Sequence, residues 1–294
     1  GGTHFNGILL ENGSKYAIRG ATIMAHGDGG DDLAGWGTAV MADNRSELEI
    51  ADSYFELDGA IRCALYVDNA SIADVHDTVI YTKETEDTCE EFANLTPGMM
   101  KRVPFALGME GTVRSLNVMA DGQGKFRNCM VVSTGWGALS TDSGTAYDVC
   151  KTYAIDAEDT LSGIGTMEVA QEGKEYTATK TVNGVTYGFT VGGSGYVTYA
   201  DSGVHNRYRN VEFYAPDYIQ VMGSGPSGSA YIDSYLYSGH TAFMTQQSRG
   251  GTFELINTKL DTVDGLLQIK SGAANTGFSN IILDNTQVNF SGTS

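Results

Sequence analysis

The sequence predicts an all-β solenoid, and three observations predict it. A six-residue pattern recurs down the chain, short alternating segments fill the space between its copies, and a Gly-Trp-Gly segment returns at long range. The pattern is an apolar residue, any residue, Asn or Asp (once Gly), usually a small residue, any residue, then an apolar residue. It occupies Ile18–Ile23, Ile50–Phe55, Val75–Ile80, Phe126–Val131, Tyr208–Phe213, Tyr231–Leu236, Leu255–Leu260 and Leu283–Val288. Its third positions are 20, 52, 77, 128, 210, 233, 257 and 285, at intervals of 32, 25, 51, 82, 23, 24 and 28. Four intervals lie near 25 and one is about twice that, a period that marks stacked repeats.

Taken in chain order, the first two clean repeats match well beyond the core pattern. Ala39, Asp43, Asn44, Ser46, Ile50, Asp52, Ser53 and Phe55 fall opposite Ala64, Asp68, Asn69, Ser71, Val75, Asp77, Thr78 and Ile80, each offset by 25. Within a period, segments such as Leu48-Glu49-Ile50 and Val79-Ile80-Tyr81 alternate with a period of two and end in polar turn residues, which is strand grammar. One such coil cannot bury its own apolar face, whereas stacked coils share a core and pair their strands along the axis. Asn or Asp at a fixed place suits a turn whose side chain bonds backbone groups, and stacked copies can bond one another. The expected architecture is a right-handed parallel β-helix of about eight to ten coils.

Two stretches break the rhythm. Residues 83–112 carry an acidic run (Glu84, Glu86, Asp87, Glu90, Glu91) and read as a long loop. Residues 155–200 contain Tyr176–Val182, Asn183-Gly184 and Val185–Val191, and Asn-Gly between two alternating runs predicts an inserted antiparallel β-hairpin. Beyond it the period resumes to the end, so residues 1–294 form one elongated domain.

The coil pattern resembles the pectate-lyase-like β-helix superfamily. Gly27–Gly35, Thr96–Lys101 and Gly135–Asp142 are similar to a group of secreted bacterial β-helix proteins described by fold alone. The resemblance implies this fold and a secreted or cell-surface location. It carries no catalytic residues to this chain.

Composition narrows the function. The net charge of −18 over 294 residues disfavours nucleic acid and anionic membranes as partners. No apolar run approaches the roughly 18 residues of a membrane span. The chain starts without an initiator Met or a signal peptide and reads as processed or trimmed. Cys63, Cys89, Cys129 and Cys150 lack the spacing of a metal site; three disulfide pairings are open to them, and free buried thiols are the alternative. Nothing in the sequence calls for an organic cofactor.

Three places could carry chemistry. The second position of the pattern points outward and holds Arg19, His76, Arg127 and Arg209; two residues earlier stand Lys125 and Arg207. Lys125/Arg127 and Arg207/Arg209 therefore predict a cationic patch with His205 nearby, and about 4.8 Å separates the pairs if no coil intervenes. Such a patch suits a carboxylated sugar, with Arg giving bidentate contacts and a basic group removing the proton beside the carboxylate. The alternative is that these cations pair with nearby acids and hold the insertions down. The second place is His26–Ala34, one near-copy of a Ca²⁺-binding nonapeptide, with Asp28, Asp31 and Asp32 as ligands; a plain turn is the alternative. The third is Trp136–Tyr153, where Asp142 and Asp148 are candidate acids or metal ligands beside Trp136, Lys151 and Tyr153. His240, and the tyrosines crowded between Tyr196 and Tyr237, read equally as structural or as binding residues.

Two functions follow as expectations. One is a carbohydrate-active protein acting on an acidic polysaccharide by lyase- or epimerase-type chemistry. In it Lys125, Arg127, Trp136, Asp148 and Tyr153 bind substrate, and His205, Arg207, Arg209 and Asp142 act on it. The other is a non-catalytic adhesin or stalk segment that presents a repetitive binding surface to a carbohydrate or cell-surface ligand. The oligomeric state is open.

Overall fold

A computed structural model describes residues 5–31, 34–83, 114–135, 137–162, 177–182, 185–191, 195–223, 226–245, 251–269 and 279–292. These residues are all-β, with no helix among them, and their strands stack in three long parallel sheets. Each coil contributes one strand to sheet A, one to sheet B and one to sheet C, and nine coils are present among the described residues. This is the arrangement expected of a parallel β-helix. Coil one runs through Ile8–Leu10, Lys15–Arg19 and Thr22–Ala25; coil nine runs through Gly265–Ile269, Ser279–Asp284 and Gln287–Phe290.

The recurring six-residue pattern is the corner between sheets B and C. Its third residue has positive φ in every coil: Gly20, Asp52, Asp77, Asn128, Lys151, Asn210, Asp233, Asn257 and Asn285 lie between 45° and 60°. The left-handed conformation crowds Cβ against the backbone, and Asn and Asp tolerate it best after Gly. The side chains also tie coils together. Asn285 Nδ2 donates to Asn257 Oδ1 at 2.7 Å, Asn257 Nδ2 to Asp233 Oδ1 at 3.2 Å, and Asn128 Nδ2 to Asp77 Oδ1.

The small residue that follows makes a second, buried ladder. Thr258 Oγ1 donates to Ile256 O at 3.0 Å and accepts from Ser234 N at 3.3 Å. Ser234 Oγ does the same for Ile232 O and Val211 N, and Thr152 Oγ1 for Cys150 O and Cys129 N. A hydroxyl here satisfies one backbone group in its own coil and one in the coil before it. This explains why six coils carry a small polar residue at this mostly enclosed position, Ser53, Thr78, Thr152, Ser234, Thr258 and Thr286, while Ala21 and Val211 leave gaps in the ladder.

The residues that point inward form one continuous core. Val40, Leu65, Ile50, Val75, Phe126, Phe55, Ile80, Tyr208, Tyr231, Phe213, Phe253 and Leu255 are each 0–1 % exposed. Burying such a side chain contributes about 1.5–3 kcal/mol, so each coil is stabilised mainly by the coils on either side of it. Of the crowded tyrosines, Tyr208 and Tyr231 lie in this core and stack with ring centroids 4.9 Å apart, Tyr196, Tyr199, Tyr214 and Tyr218 are buried outside it, and Tyr235 and Tyr237 are half-exposed.

The corner from sheet C to sheet A is where the chain departs from its rhythm. It holds residues 26–39, 84–113 and the stretch between Tyr153–Ser162 and Tyr196–Asp201. The expected 83–112 loop falls outside the described residues except for Lys83, which ends the strand Val79–Lys83. Within 155–200, Thr177–Val182 and Val185–Val191 pair antiparallel, and the latter pairs antiparallel with Tyr153–Ser162. Asn183 and Gly184 lie outside the described residues. Tyr196–Asp201 is the sheet A strand of coil six and belongs to the solenoid.

Candidate functional site

The outer face of sheet B gathers most of the expected cations. Its strands largely alternate, and His205–Arg209 reads exposed, buried, exposed, buried, exposed. One outward column passes through Glu49, Asp74, Lys125 and Asp148. The next passes through Arg19, Ala51, His76, Arg127, Cys150, Arg209, Ile232, Ile256 and Asp284.

The two cationic pairs are not neighbours. The strand Thr145–Cys150 of coil five lies between them, so about 9.6 Å, two strand spacings, separates Lys125/Arg127 from Arg207/Arg209. Coil five escapes the sequence pattern because Lys151 stands where the other coils carry Asn, Asp or Gly. It places Asp148 next to Lys125, and Cys150 between Arg127 and Arg209.

The pairs also differ in state. Arg127 Nη2 binds Asp74 Oδ1, and that bond holds the guanidinium above its usual pKa. Its Nε is buried without a hydrogen-bond partner among the described residues. A register shift inserts Tyr147 as an extra outward residue opposite Gly124 and Lys125. Lys125 Nζ lies 5.3 Å from the Tyr147 ring centroid. The Tyr147 hydroxyl, and then Asp74 and Asp148, raise the Lys125 pKa. Arg207, Arg209 and His205 are exposed, and no described carboxylate pairs with them.

The remaining candidates sit elsewhere. Asp142 ends the sheet A strand Gly137–Asp142, beside Met119 and Asp201, and so lies at the corner before sheet B rather than on its outer face. Tyr153 pairs with Met130 and Glu212 in sheet C. Trp136 lies outside the described residues. His240 Nδ1 bonds Asp264 Oδ2, and its ring meets Tyr218 edge-on at 5.4 Å.

The glycine-rich loop has a different centre from the one its sequence suggests. Arg62, 7 % exposed, reaches into it. Its Nε donates to Gly27 O at 2.7 Å, Nη2 to Asp28 O at 3.0 Å and His26 O at 3.5 Å, and Nη1 to Gly37 O. Asp28 Oδ1 accepts from Ala60 N, and Asp31 Oδ1 from Ala34 N. Asp32 lies outside the described residues. The loop's oxygens thus converge on a guanidinium whose pKa is lowered by burial and supported by Asp28 and Asp58. Among the described residues no group of three His, Cys, Asp or Glu is placed to hold a metal ion.

Sequence reasoning did not single out the outer face of sheet A. Arg114, Asn117, Ser140, Tyr196 and Tyr199 are all buried there. Arg114 Nη1 donates to Asn117 Oδ1 at 3.0 Å, and Tyr199 OH to Asp201 Oδ2 at 2.7 Å. Burial, then Asp201, pushes the Tyr199 pKa well up, so this phenol is a donor rather than a base. These residues share no period with the corner pattern, and only the tyrosine crowding hinted at them.

No family model and no curated protein matches the chain.

Proposed function

We propose that the chain is a right-handed, pectate-lyase-like β-helix protein, secreted or held at a cell surface. In this reading it binds an acidic polysaccharide along the outer face of sheet B without cleaving it. The observation that carries this is the pair Arg207 and Arg209, exposed and free of any described carboxylate, on a chain of net charge −18. On so acidic a surface, two unneutralised guanidiniums side by side are suited to bidentate capture of a carboxylate. Lys125, stacked on Tyr147 a little further along, extends the same face with an apolar ring for a sugar to lie on.

Binding is favoured over lyase or epimerase chemistry by where the other groups lie. A general base and its charge-stabilising partners must converge on one proton. Asp142 lies in another sheet, and Arg127 is engaged by Asp74. Two histidines stand on this face: His76, engaged by Asp77 and Glu49, and His205, two residues before Arg207.

The test is binding to oligogalacturonate and to an uncharged glucan of equal length. The expected result is selective binding of the acid that Arg207→Ala with Arg209→Ala weakens about tenfold or more, the scale of one or two charged hydrogen bonds. Full affinity in that double variant would sink the assignment. Unsaturated uronate product from the wild type, lost in His205→Ala, would restore the enzyme reading.

A further inference from the structure

The cationic row on the outer face of sheet B is one coil wide. His205, Arg207 and Arg209 all belong to coil six and are exposed. On the coil-five side, Cys150 pairs with Arg209, and Asp148 stands one residue before Val149, the partner of Tyr208. On the coil-seven side the register partners are Gly228, Ala230 and Ile232. Coil eight continues with Thr252, Glu254 and Ile256. From coil six to coil eight, one outward column therefore reads Arg207, Ala230, Glu254, and its neighbour reads Arg209, Ile232, Ile256. Positive charge gives way to apolar surface and then to negative charge within about 9.6 Å, two strand spacings.

Coil seven forms a shallow trough beside the arginines. Its outward residues Gly228 and Ala230 are small, and the bare Gly228 backbone is used: a Cβ there would come within 2.6 Å of the His205 ring. His205 thus lies across the head of the trough. Ile232 and Ile256, both half-buried, stand side by side at its foot, and Glu254 is its far wall. A carboxylate suits the coil-six wall, where two guanidiniums give charged, bidentate hydrogen bonds. A second carboxylate on the coil-eight side would face Glu254 at like charge and lose water against Ile232 and Ile256. A neutral residue carrying a methyl group meets neither penalty, and burying that methyl on the isoleucines is favourable.

We propose that Ile232, Glu254 and Ile256 set the specificity of this face, which takes an acidic polysaccharide whose free carboxylates are interspersed with neutral, apolar-substituted residues, not an unbroken polyuronate. This rests on the reading of the face as a polysaccharide site. One free carboxylate lies on Arg207 and Arg209, and the next residue, esterified or acylated, lies over coil seven with its methyl group on Ile232 and Ile256.

Calorimetric titration of the whole chain with oligogalacturonates of one length tests this, one set with every carboxylate free and one partly methyl-esterified. The partial ester should bind about fourfold or more tighter than the free acid, the gain from burying one methyl group. Ile232→Ser with Ile256→Ser should bring the partial ester down to the affinity of the free acid. Glu254→Gln keeps the shape and removes the charge, so it should raise the affinity of the free acid about threefold at low salt and narrow the preference. Folding of each variant is checked by circular dichroism. A free acid that binds as tightly as the partial ester, or a preference that survives the isoleucine and Glu254 substitutions alike, would overturn the specificity and leave the face an acidic-polysaccharide site. Binding of neither ligand would sink the site and the proposed function with it.

Discussion

Lys151 is the one long side chain among the nine residues that hold the corner between sheets B and C in the left-handed conformation. Its φ of 49° matches its counterparts, so the fold imposes a geometry for which lysine is poorly suited. A non-glycine residue there costs roughly 1–2 kcal/mol, and asparagine or glycine relieves part of it. Lys151→Gly should therefore stabilise the protein by about 1 kcal/mol, read as a higher denaturant midpoint with unchanged slope. The same residue hid a coil. With Asn or Asp at this place, coil five would have extended the recurring pattern, and the spacing between the cationic pairs would have been read correctly. Arg62 is a second residue with wide reach. Its removal strands four backbone carbonyls around a buried space, and Arg62→Ala should cost about 3 kcal/mol or more. The same arrangement predicts that millimolar calcium leaves the thermal midpoint unchanged, since a guanidinium already satisfies the loop's oxygens; a calcium-dependent rise would contradict it.

At the scale of the element, the corner is the legible part of this protein. Its chemistry is local: a left-handed residue selects Asn or Asp, and an enclosed hydroxyl bridging two coils selects Ser or Thr. Both preferences are visible in the sequence. Thr258→Val tests the second, because valine matches the shape and removes both bonds. About 1–3 kcal/mol should be lost, measurable by chemical denaturation, whereas the exposed Asp233→Ala should cost clearly less. The candidate site was less legible. Which cations face one another depends on how many coils separate them, and which are neutralised depends on partners such as Asp74, 53 residues away from Arg127. The glycine-rich loop misled for a related reason. Its composition suggests carboxylates around a metal ion, whereas its backbone oxygens meet the Arg62 side chain from the next coil.

Over the whole molecule, stability passes from coil to coil, so the ends open first. The last coil is held partly through Asp261, which accepts from Asn289 Nδ2 at 2.6 Å and Tyr235 OH at 2.7 Å and pairs with Lys259 at 2.9 Å. Burial opposes its charge, but these three bonds outweigh burial and lower its pKa. A carboxylate whose folded pKa is depressed contributes stability above its unfolded value, near 4, and that contribution disappears as pH falls through the folded value. Amide exchange in residues 279–292 should therefore accelerate before that of coils three to seven as pH drops below about 4. Uniform acceleration along the chain would show that Asp261 is not the fastening.

The three corners of a coil are unequal. Between sheets B and C the chain never spends more than two residues, in any of the nine coils. Between sheets C and A it detours by as many residues as it likes: residues 26–39 in one coil, 84–113 in another. The longest detours start from this edge of the prism and return to it with the register intact. The protein thus separates a B–C spine that resists change from a lengthwise seam open to it. New peptide sewn into that seam, at Pro216-Asp217 or Val263-Asp264 where the corner is still short, should be carried by the solenoid without a single core contact being redrawn.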